Sequence, residues 1–500
     1  MLKIAIHFWM FVLFLNCDLN GKKTILLEGE DDLITNLDPA RSEEASESKI
    51  ISCIYESLVQ LGSDYHTLQP EVAEEWEISD DLQTFRFRLK SGIRFHDGSP
   101  LNADAVIYSF QRQFALNSSS PLFNMIDHFQ QHDSLNIEIH LKYPYSQFLY
   151  SLASPSGLKI ISKSALGKYG DEIATHPVGS GPYLVKEFKQ NQKIRLEAYP
   201  DFRSQSGQLK EVIIKRYRDY FSMEVDFREQ KLDLIYAVPG FSIDRLKWQG
   251  MIEYQVLPPL NVIFLGFNCR QPPFSDPKVR KAILKAINID EMVNIIYRGK
   301  SLKAKSPVPP RLFDAGDIQQ AEFNLKEAKD LLSEAGYPNG FSAKFFFMDR
   351  TRPRRTLIEA IEFYLQPLNI KLEMIPFYSW SELNAACRSD SAQLIWNSWQ
   401  TDVAGDPENF LYSLFYSSSQ FNFFQYRHPD VDHWLELSHL EPEPEKRQIL
   451  YRKIVQQIVQ DVPAVFVFHV IPVFAYNRQK IKELPLNPYG MLLYHQIVLN

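Results

Sequence analysis

Cysteine is scarce in this 500-residue chain, which contains four: Cys17, Cys53, Cys269 and Cys387. No two of them have the Cys-x-x-Cys spacing typical of a zinc or redox site. One pair among the last three could form a disulfide in an oxidising compartment, and three buried small apolar residues are the alternative. The sequence therefore predicts neither a metal site nor a cofactor.

Basic runs are also missing. Lysine and arginine together number 54 against 61 acidic residues, which gives a net charge of −7 and an isoelectric point near 6.0. A nucleic-acid-binding surface normally needs an excess of positive charge. The composition therefore argues against a nucleic acid as partner.

Catalytic motifs are absent or incomplete. The string Val178-Gly179-Ser180-Gly181 lacks the Gly-x-Ser-x-Gly spacing of a nucleophile elbow, and no HExxH zinc motif occurs. His128 and His132 are four residues apart without that motif's glutamate, and we expect them on a surface. Gly299-Lys300-Ser301 ends like a phosphate-binding loop, but Asn294 stands where the first glycine belongs. The sequence predicts that the protein is not an enzyme; a hydrolase is the remaining alternative.

An apolar run lies at the N-terminus, over residues 4–15, interrupted by His7, and nothing later in the sequence is long and apolar enough to cross a membrane. Twelve residues are too few for a membrane-spanning helix, which needs about 20, but they suit the core of a signal peptide. Asn16-Cys17 follows and resembles a lipoprotein processing site, so we predict a signal peptide over 1–17 and lipidation of Cys17. Secretion with unmodified Cys17 is the alternative. Either places the protein outside the cytoplasm, in the periplasm or on the cell surface.

Strand and helix patterns alternate along most of the chain, which predicts an α/β fold. Phe85, Phe87 and Leu89 alternate with charged residues as in a half-buried strand. Three positions have the residue types of helix N-caps: Asn102, Asp276 before Pro277, and Asn324 with Glu327 three residues on.

Several motifs occur in a fixed order. They are Asn36-Leu37-Asp38-Pro39, Ile54-Tyr55-Glu56-Ser57-Leu58, the stretch 70–110 with Glu-Trp, Phe-x-Phe-x-Leu and Phe-His-Asp-Gly, Pro177-Val178-Gly179-Ser180-Gly181-Pro182-Tyr183, the run 264–300, and Trp399-Gln400-Thr401-Asp402 with Asp406-Pro407. This series resembles the extracytoplasmic solute-binding proteins of family 5, the oligopeptide- and dipeptide-binding receptors of ABC importers. The resemblance covers nearly the whole mature chain.

The resemblance implies a two-lobed α/β fold of the periplasmic-binding-protein type, with a hinge between the lobes and an extra domain in the first. We expect lobe one at 24–256 with the extra domain at about 51–172, lobe two at 257–474, and a C-terminal segment, 475–500, that returns to lobe one. Pro258-Pro259 suits a connection between the lobes.

The resemblance also implies a site in the cleft. Asp402 would pair with the ammonium group of a peptide, and Trp399 would wall the same pocket. Thr35 and Asn36 are weaker candidates along the ligand, and Arg350 and Arg352 are candidates for its carboxylate. The alternatives are a turn or N-cap role for Asp402, a core role for Trp399 and a solvated face for the arginines.

The expected function is a monomeric receptor that captures peptides and delivers them to the permease of an ABC importer, with a lipid anchor at Cys17. Other members of the class bind nickel chelates, haem, opines or oligosaccharides, and these solutes stay open. A surface or signalling lipoprotein that keeps the fold without transport is the alternative from another class.

Overall fold

The computed structural model describes residues 24–42, 45–64, 67–116, 125–155, 157–203, 209–236, 238–248, 260–296, 301–349, 352–389, 391–400, 406–471 and 473–500. The predicted sites at Cys17 and Asp402, and the connection at Pro258-Pro259, lie outside these ranges. Every helix within these ranges is too short or too polar to span a lipid bilayer.

Strands and helices alternate along the described residues. The strands are β1 Ile25–Glu30, β2 Val59–Leu61, β3 Leu68–Pro70, β4 Ala73–Ile78, β5 Thr84–Leu89, β6 Ile126–Gln131, β7 Asn136–Leu141, β8 Tyr183–Lys189, β9 Lys193–Ala198, β10 Glu211–Arg216, β11 Leu234–Ile235, β12 Asn261–Phe267, β13 Ser301–Lys303, β14 Ser342–Met348, β15 Lys371–Phe377, β16 Leu394–Gln400, β17 Ala464–Val470, β18 Ala475–Tyr476, β19 Ile481–Glu483 and β20 Val498–Leu499.

The α-helices are α1 Ala45–Ile54, α2 Ala103–Leu116, α3 Phe148–Ala153, α4 Lys163–Tyr169, α5 Tyr220–Arg228, α6 Gly240–Trp248, α7 Pro277–Ala286, α8 Ile289–Ile296, α9 Leu325–Glu334, α10 Arg352–Leu365, α11 Trp380–Cys387, α12 Glu408–Phe415, α13 Pro429–Leu440 and α14 Pro444–Asp461. Short 3₁₀ helices cover Gly170–Ala174, Gln366–Leu368 and Tyr494–Gln496.

Two six-stranded sheets carry the fold. The first has the order β18-β11-β1-β10-β9-β8, with β1 parallel to β10 and β11. The second has the order β13-β17-β12-β16-β14-β15, with β14 parallel to β15 and β16. A separate antiparallel sheet has the order β4-β5-β7-β6. All its residues lie between β1 and β8 along the chain, and both of these strands belong to the first sheet.

Each large sheet is covered on both faces. In β12, Val262 and Phe264 belong to one hydrophobic cluster, whereas Leu265 and Phe267 belong to another on the opposite face. Both faces of the first sheet are likewise buried by separate clusters. Burial on two faces is typical of sheets in α/β proteins, and it explains the nearly continuous apolar runs of β12 and β17.

The locally encoded elements form where the sequence predicts them. Phe85, Phe87 and Leu89 are buried in β5, while the intervening arginines are exposed. Asn102 accepts a hydrogen bond from Ala105 N at 3.1 Å and begins α2. Asp276 and Asn324 accept from Lys278 N and Glu327 N, at 2.8 and 3.1 Å, and begin α7 and α9.

The three later cysteines, Cys53, Cys269 and Cys387, are free thiols, and the first and third are buried. The disulfide alternative is therefore not realised in this structure. His128 lies on β6 and His132 just beyond it, both substantially exposed, where they pair with Asp127 and Glu138.

Candidate functional site

The motif tryptophan, Trp399, lies near the end of β16 in the second sheet. Its indole Nε1 donates to Asn409 Oδ1 at 3.2 Å, and its ring centroid lies 5.1 Å from that of Phe421. The side chain is partly buried against the core cluster on this face. Trp399 thus packs as a core residue on part of its surface, and its contact with a ligand stays a prediction.

Asp406, which follows the residues around Asp402, holds the start of α12. One carboxylate oxygen accepts from Glu408 N at 2.9 Å and from the Tyr451 hydroxyl at 2.7 Å. The other accepts from Arg447 Nε at 3.2 Å. Burial and the neighbouring charge of Glu408 raise the pKa of Asp406 to about 6. An arginine partner 41 residues away could not be read from the motif.

Thr35 and Asn36 follow β1 of the first sheet, and Glu47 holds both. One oxygen of this buried carboxylate accepts from Thr35 N at 2.8 Å, the Thr35 hydroxyl at 2.9 Å and Asn36 N at 2.9 Å. In the Asn36 side chain, Nδ2 donates to the Arg41 carbonyl and Oδ1 accepts from Asp38 N. These polar groups shape the loop, so a ligand would meet them already hydrogen-bonded within the protein.

Of the two predicted arginines, the structure describes one. Arg350 lies outside the described residues, and Arg352 is the first residue of α10, a helix of 14 residues. Arg355, one turn further on, is exposed and pairs with Asp349 at 3.2 Å. Arg355 therefore lies on a solvated face, while a ligand role for Arg350 and Arg352 stays a prediction.

A buried charged group at β1 was not foreseen. Lys49 Nζ lies 2.5 Å from Glu28 Oε1 and 2.8 Å from Glu30 Oε2, and the Tyr494 hydroxyl donates to the other oxygen of Glu28. Next to it, burial and the charges of Glu30 and Asp32 raise the pKa of Asp31 to about 6. The run Glu28-Gly29-Glu30-Asp31-Asp32 directly after an apolar strand start was the signal that could have revealed it.

Three of the predicted site residues lie at two separate sheets. Thr35 and Asn36 follow β1 of the first sheet, and Trp399 lies near the end of β16 in the second. The chain passes between these sheets after β17, since Val473 O accepts from Val238 N at 3.0 Å and β18 then pairs with β11. No group of three or more metal-ligating side chains within the described ranges is arranged to hold an ion.

Known proteins match this chain in both sequence and architecture. A family model described as bacterial extracellular solute-binding proteins, family 5, middle, matches residues 67–422. The chain is 26% identical over 472 residues to the dipeptide-binding protein of Escherichia coli K12, covering 87% of each chain. It is 27% identical over 474 residues to heme-binding protein A of Haemophilus influenzae, covering 87% of this chain and 85% of that one.

Among solved structures, the periplasmic binding protein DppA of Helicobacter pylori in complex with the peptide STSA superposes with a TM-score of 0.83 at 24% identity. The match covers 95% of this chain and 99% of that one. The predicted family and the two-lobed α/β fold are thereby confirmed.

Proposed function

The chain belongs to family 5 of the bacterial extracellular solute-binding proteins, and we propose that it captures peptides in the cleft between its lobes and delivers them to an ABC permease. Members of this family bind solutes outside the cytoplasm for ABC transporters. The observation that carries the proposal is the relationship to the E. coli dipeptide-binding protein, which extends over 87% of both chains and so includes both lobes.

The sheets support a division into lobes close to the one expected from the sequence. We propose lobe one at 24–256 with its extra domain at about 51–172, lobe two at 257–474, and a returning segment at 475–500. Strands β12 to β17 form the second sheet, whereas β18 joins the first. The four-stranded sheet lies at 73–141, within the proposed extra domain.

The ligand chemistry follows from what a peptide offers. Its extended backbone can pair with cleft strands whatever its sequence, while its ammonium group needs a carboxylate because a buried unpaired charge is costly. We assign Asp402 to that ammonium group and Trp399 to the wall of the same pocket. Arg350 and Arg352 are candidates for the carboxylate end, where a guanidinium group would bind in bidentate fashion.

We further propose that the protein is a monomer without catalytic activity and that Cys17 carries a lipid anchor. A receptor held at the outer face of the membrane stays close to its permease. The support for the anchor is the position of Cys17 directly after the apolar run of residues 4–15.

Haem is the second candidate ligand, because heme-binding protein A is related to this chain as closely as the dipeptide-binding protein is. Native mass spectrometry of the gently purified mature protein separates the two candidates. A series of adducts with peptide masses supports the proposed function. A single adduct with the mass of haem overturns it.

The role of Asp402 has its own test. Asp402→Asn should weaken binding of free peptides by about 2–5 kcal/mol, as for a truncated buried charge pair. Asp430→Asn, which changes an exposed carboxylate of the same lobe, is the matched control and should leave affinity unchanged. Equal affinity of the wild type for free and N-acetylated peptides, measured by calorimetry, would contradict the assignment.

A further inference from the structure

A short segment of the proposed extra domain, residues 142–147 between β7 and α3, lies against helices α13 and α14 of lobe two. The Tyr145 ring stacks on the His439 ring with centroids 4.6 Å apart and 24° between the planes. Ser146 Oγ accepts from Arg447 Nη1 at 3.3 Å and lies 3.4 Å from the Glu441 carbonyl, to which it donates. These contacts join residues about 300 positions apart.

The lobe-two side of this contact is a buried charged group. Arg447 is bound through Nε to Asp406 at 3.2 Å and through Nη1 to the carbonyls of Glu441 and Pro442, at 2.9 and 3.0 Å. Three acceptors of lobe two thus fix the guanidinium group, and the Ser146 hydroxyl of the other lobe is a fourth. A side chain held in this way loses little further entropy when a partner docks on it.

Glu408 also belongs to this buried charged group, and one of its carboxylate oxygens lacks a hydrogen bond within the part of the chain that the structure describes. One of its oxygens lies 2.5 Å from His439 Nδ1, whereas the other is buried and has no hydrogen-bond partner among the described residues. His439 links this carboxylate to the facing lobe, because the imidazole ring that contacts Glu408 also stacks on the Tyr145 ring. Burial and the charge of Glu408 raise the pKa of the Tyr145 hydroxyl well above its usual value. A buried carboxylate oxygen without a partner favours any hydroxyl donor that comes within reach.

An apolar contact continues the polar one. Leu61 of β2 is buried within the lobe-two cluster around Phe410 and Leu414, and Leu68 of β3 and Tyr150 of α3 pack against that cluster. The two proposed lobes therefore contact each other through both polar and apolar side chains. Opening of the lobes has to break or rearrange these contacts.

We propose that Tyr145, Ser146, Glu408, His439 and Arg447 form a latch that holds the lobes together before a ligand binds and slows their opening once it has bound. The inference rests on the proposed function, since it assigns regulation of lobe closure to a receptor with a ligand cleft. Loss of the latch shifts the equilibrium of the empty protein towards open forms and shortens the residence time of the ligand.

The test uses Ser146→Arg and Tyr145→Ala in the full mature chain. Ser146→Arg places a second guanidinium group beside Arg447, and Tyr145→Ala removes the ring that stacks on His439. Tyr108→Ala is the matched control, because Tyr108 lies on α2 of the same domain, is 37% exposed and contacts Lys163 within that domain. Urea unfolding checks that each variant is folded, and Ser146→Arg keeps the test valid if Tyr145→Ala fails to fold, since Ser146 is only partly buried.

Small-angle scattering of the ligand-free proteins should show a larger radius of gyration for the two latch variants than for the wild type and the control. Stopped-flow measurements should show peptide dissociation faster by on the order of tenfold, the effect of losing one aromatic contact and one hydrogen bond. Unchanged radii and unchanged dissociation rates in a folded Ser146→Arg variant would overturn the latch. Because scattering needs no ligand, failure of the wild type to bind peptides would count against the proposed function alone.

Discussion

The carboxamide of Asn261 makes with Val470 the two hydrogen bonds that a neighbouring strand would make. Its Nδ2 donates to the Val470 carbonyl at 2.9 Å, and its Oδ1 accepts from the Val470 amide at 2.7 Å. The carbonyl of Asn261 in turn accepts from His469 Nδ1 at 2.6 Å. Val470 ends β17, just before the chain crosses to the first sheet, so one side chain fixes the lobe-two end of that crossing.

Asn261→Ala should lower the free energy of unfolding by about 1–3 kcal/mol, because it leaves the amide and the carbonyl of Val470 without these partners. Urea unfolding measures the change. Asn294→Ala is the matched control, since Asn294 is an exposed residue of α8 and its loss should change stability by less than about 0.5 kcal/mol. Equal stability of the two variants would contradict the role given to Asn261.

The buried histidines predict an acid-sensitive stability. Burial lowers the pKa of His96 and of His469 to about 4. An unfolded chain binds the proton near pH 6.5, so between pH 6.5 and 4 the unfolded state holds more protons than the folded state. The contribution of each histidine is therefore complete above about pH 6.5 and is lost as the pH falls through that window, by up to about 3 kcal/mol.

His469→Asn isolates the contribution of His469 to the pH dependence of stability. The asparagine amide can still donate to the Asn261 carbonyl, but it does not titrate. Between pH 6.5 and 4, the stability of His469→Asn should change towards higher values relative to that of the wild type, because the variant lacks the acid loss that His469 causes. Asp31 and Asp406, whose pKa values are raised to about 6, act in the opposite sense and stay in both proteins, so the difference reports His469. His433→Asn, at an exposed position, should keep the wild-type profile; an identical profile for His469→Asn would refute the prediction.

Replacement of the motif aspartate Asp38 should have a large effect on stability. Both of its oxygens accept from Arg112, at 2.8 and 2.5 Å, and its side chain is 1% exposed. Asp38→Asn leaves the guanidinium group without its counter-charge and should cost about 3 kcal/mol. Asp104→Asn breaks the exposed pair with Lys163 and should cost less than about 1 kcal/mol. Urea unfolding of the two variants should therefore separate them clearly, and equal losses would contradict the burial argument.

The same residues show what the sequence could predict. The strand at Phe85 and the helix starts at Asn102, Asp276 and Asn324 were predictable, because each depends on residues within a few positions along the chain. The motif order predicted the family and the fold class. By contrast, Asp38 meets Arg112 over 74 positions and Asp406 meets Arg447 over 41. Nothing in the spacing of such residues selects one partner among 54 lysines and arginines.

The cleft was the hardest part to predict for a related reason. The polar groups of Thr35 and Asn36 could be assigned to a ligand from their position, yet whether they are available depends on Glu47, which reaches them from α1. Hydrogen bonding that is satisfied within the protein is decided by packing and not by local pattern. The latch around Tyr145 belongs to the same class, since it arises only when two lobes with distant sequences meet.

The three described cysteines yield a chemical prediction about the native state. Burial raises the pKa of Cys53 and Cys387 to about 12 and that of Cys269 to about 11. The thiolate is the reactive form, so at pH 8 all three should react slowly with a disulfide reagent while the protein is folded. In guanidinium chloride without reductant, all three should react quickly, because they are free thiols.

The number of thiols that react in denaturant distinguishes a modified from an unmodified Cys17 and free cysteines from a disulfide. Three thiols match the free cysteines of this structure together with a blocked Cys17, whereas four would mean that Cys17 is retained and unmodified. A single thiol would mean that two of the later cysteines had formed a disulfide. The intact mass of the protein before and after reduction checks this result. The protein gains about two mass units when a disulfide is reduced, whereas a blocked Cys17 leaves the mass unchanged.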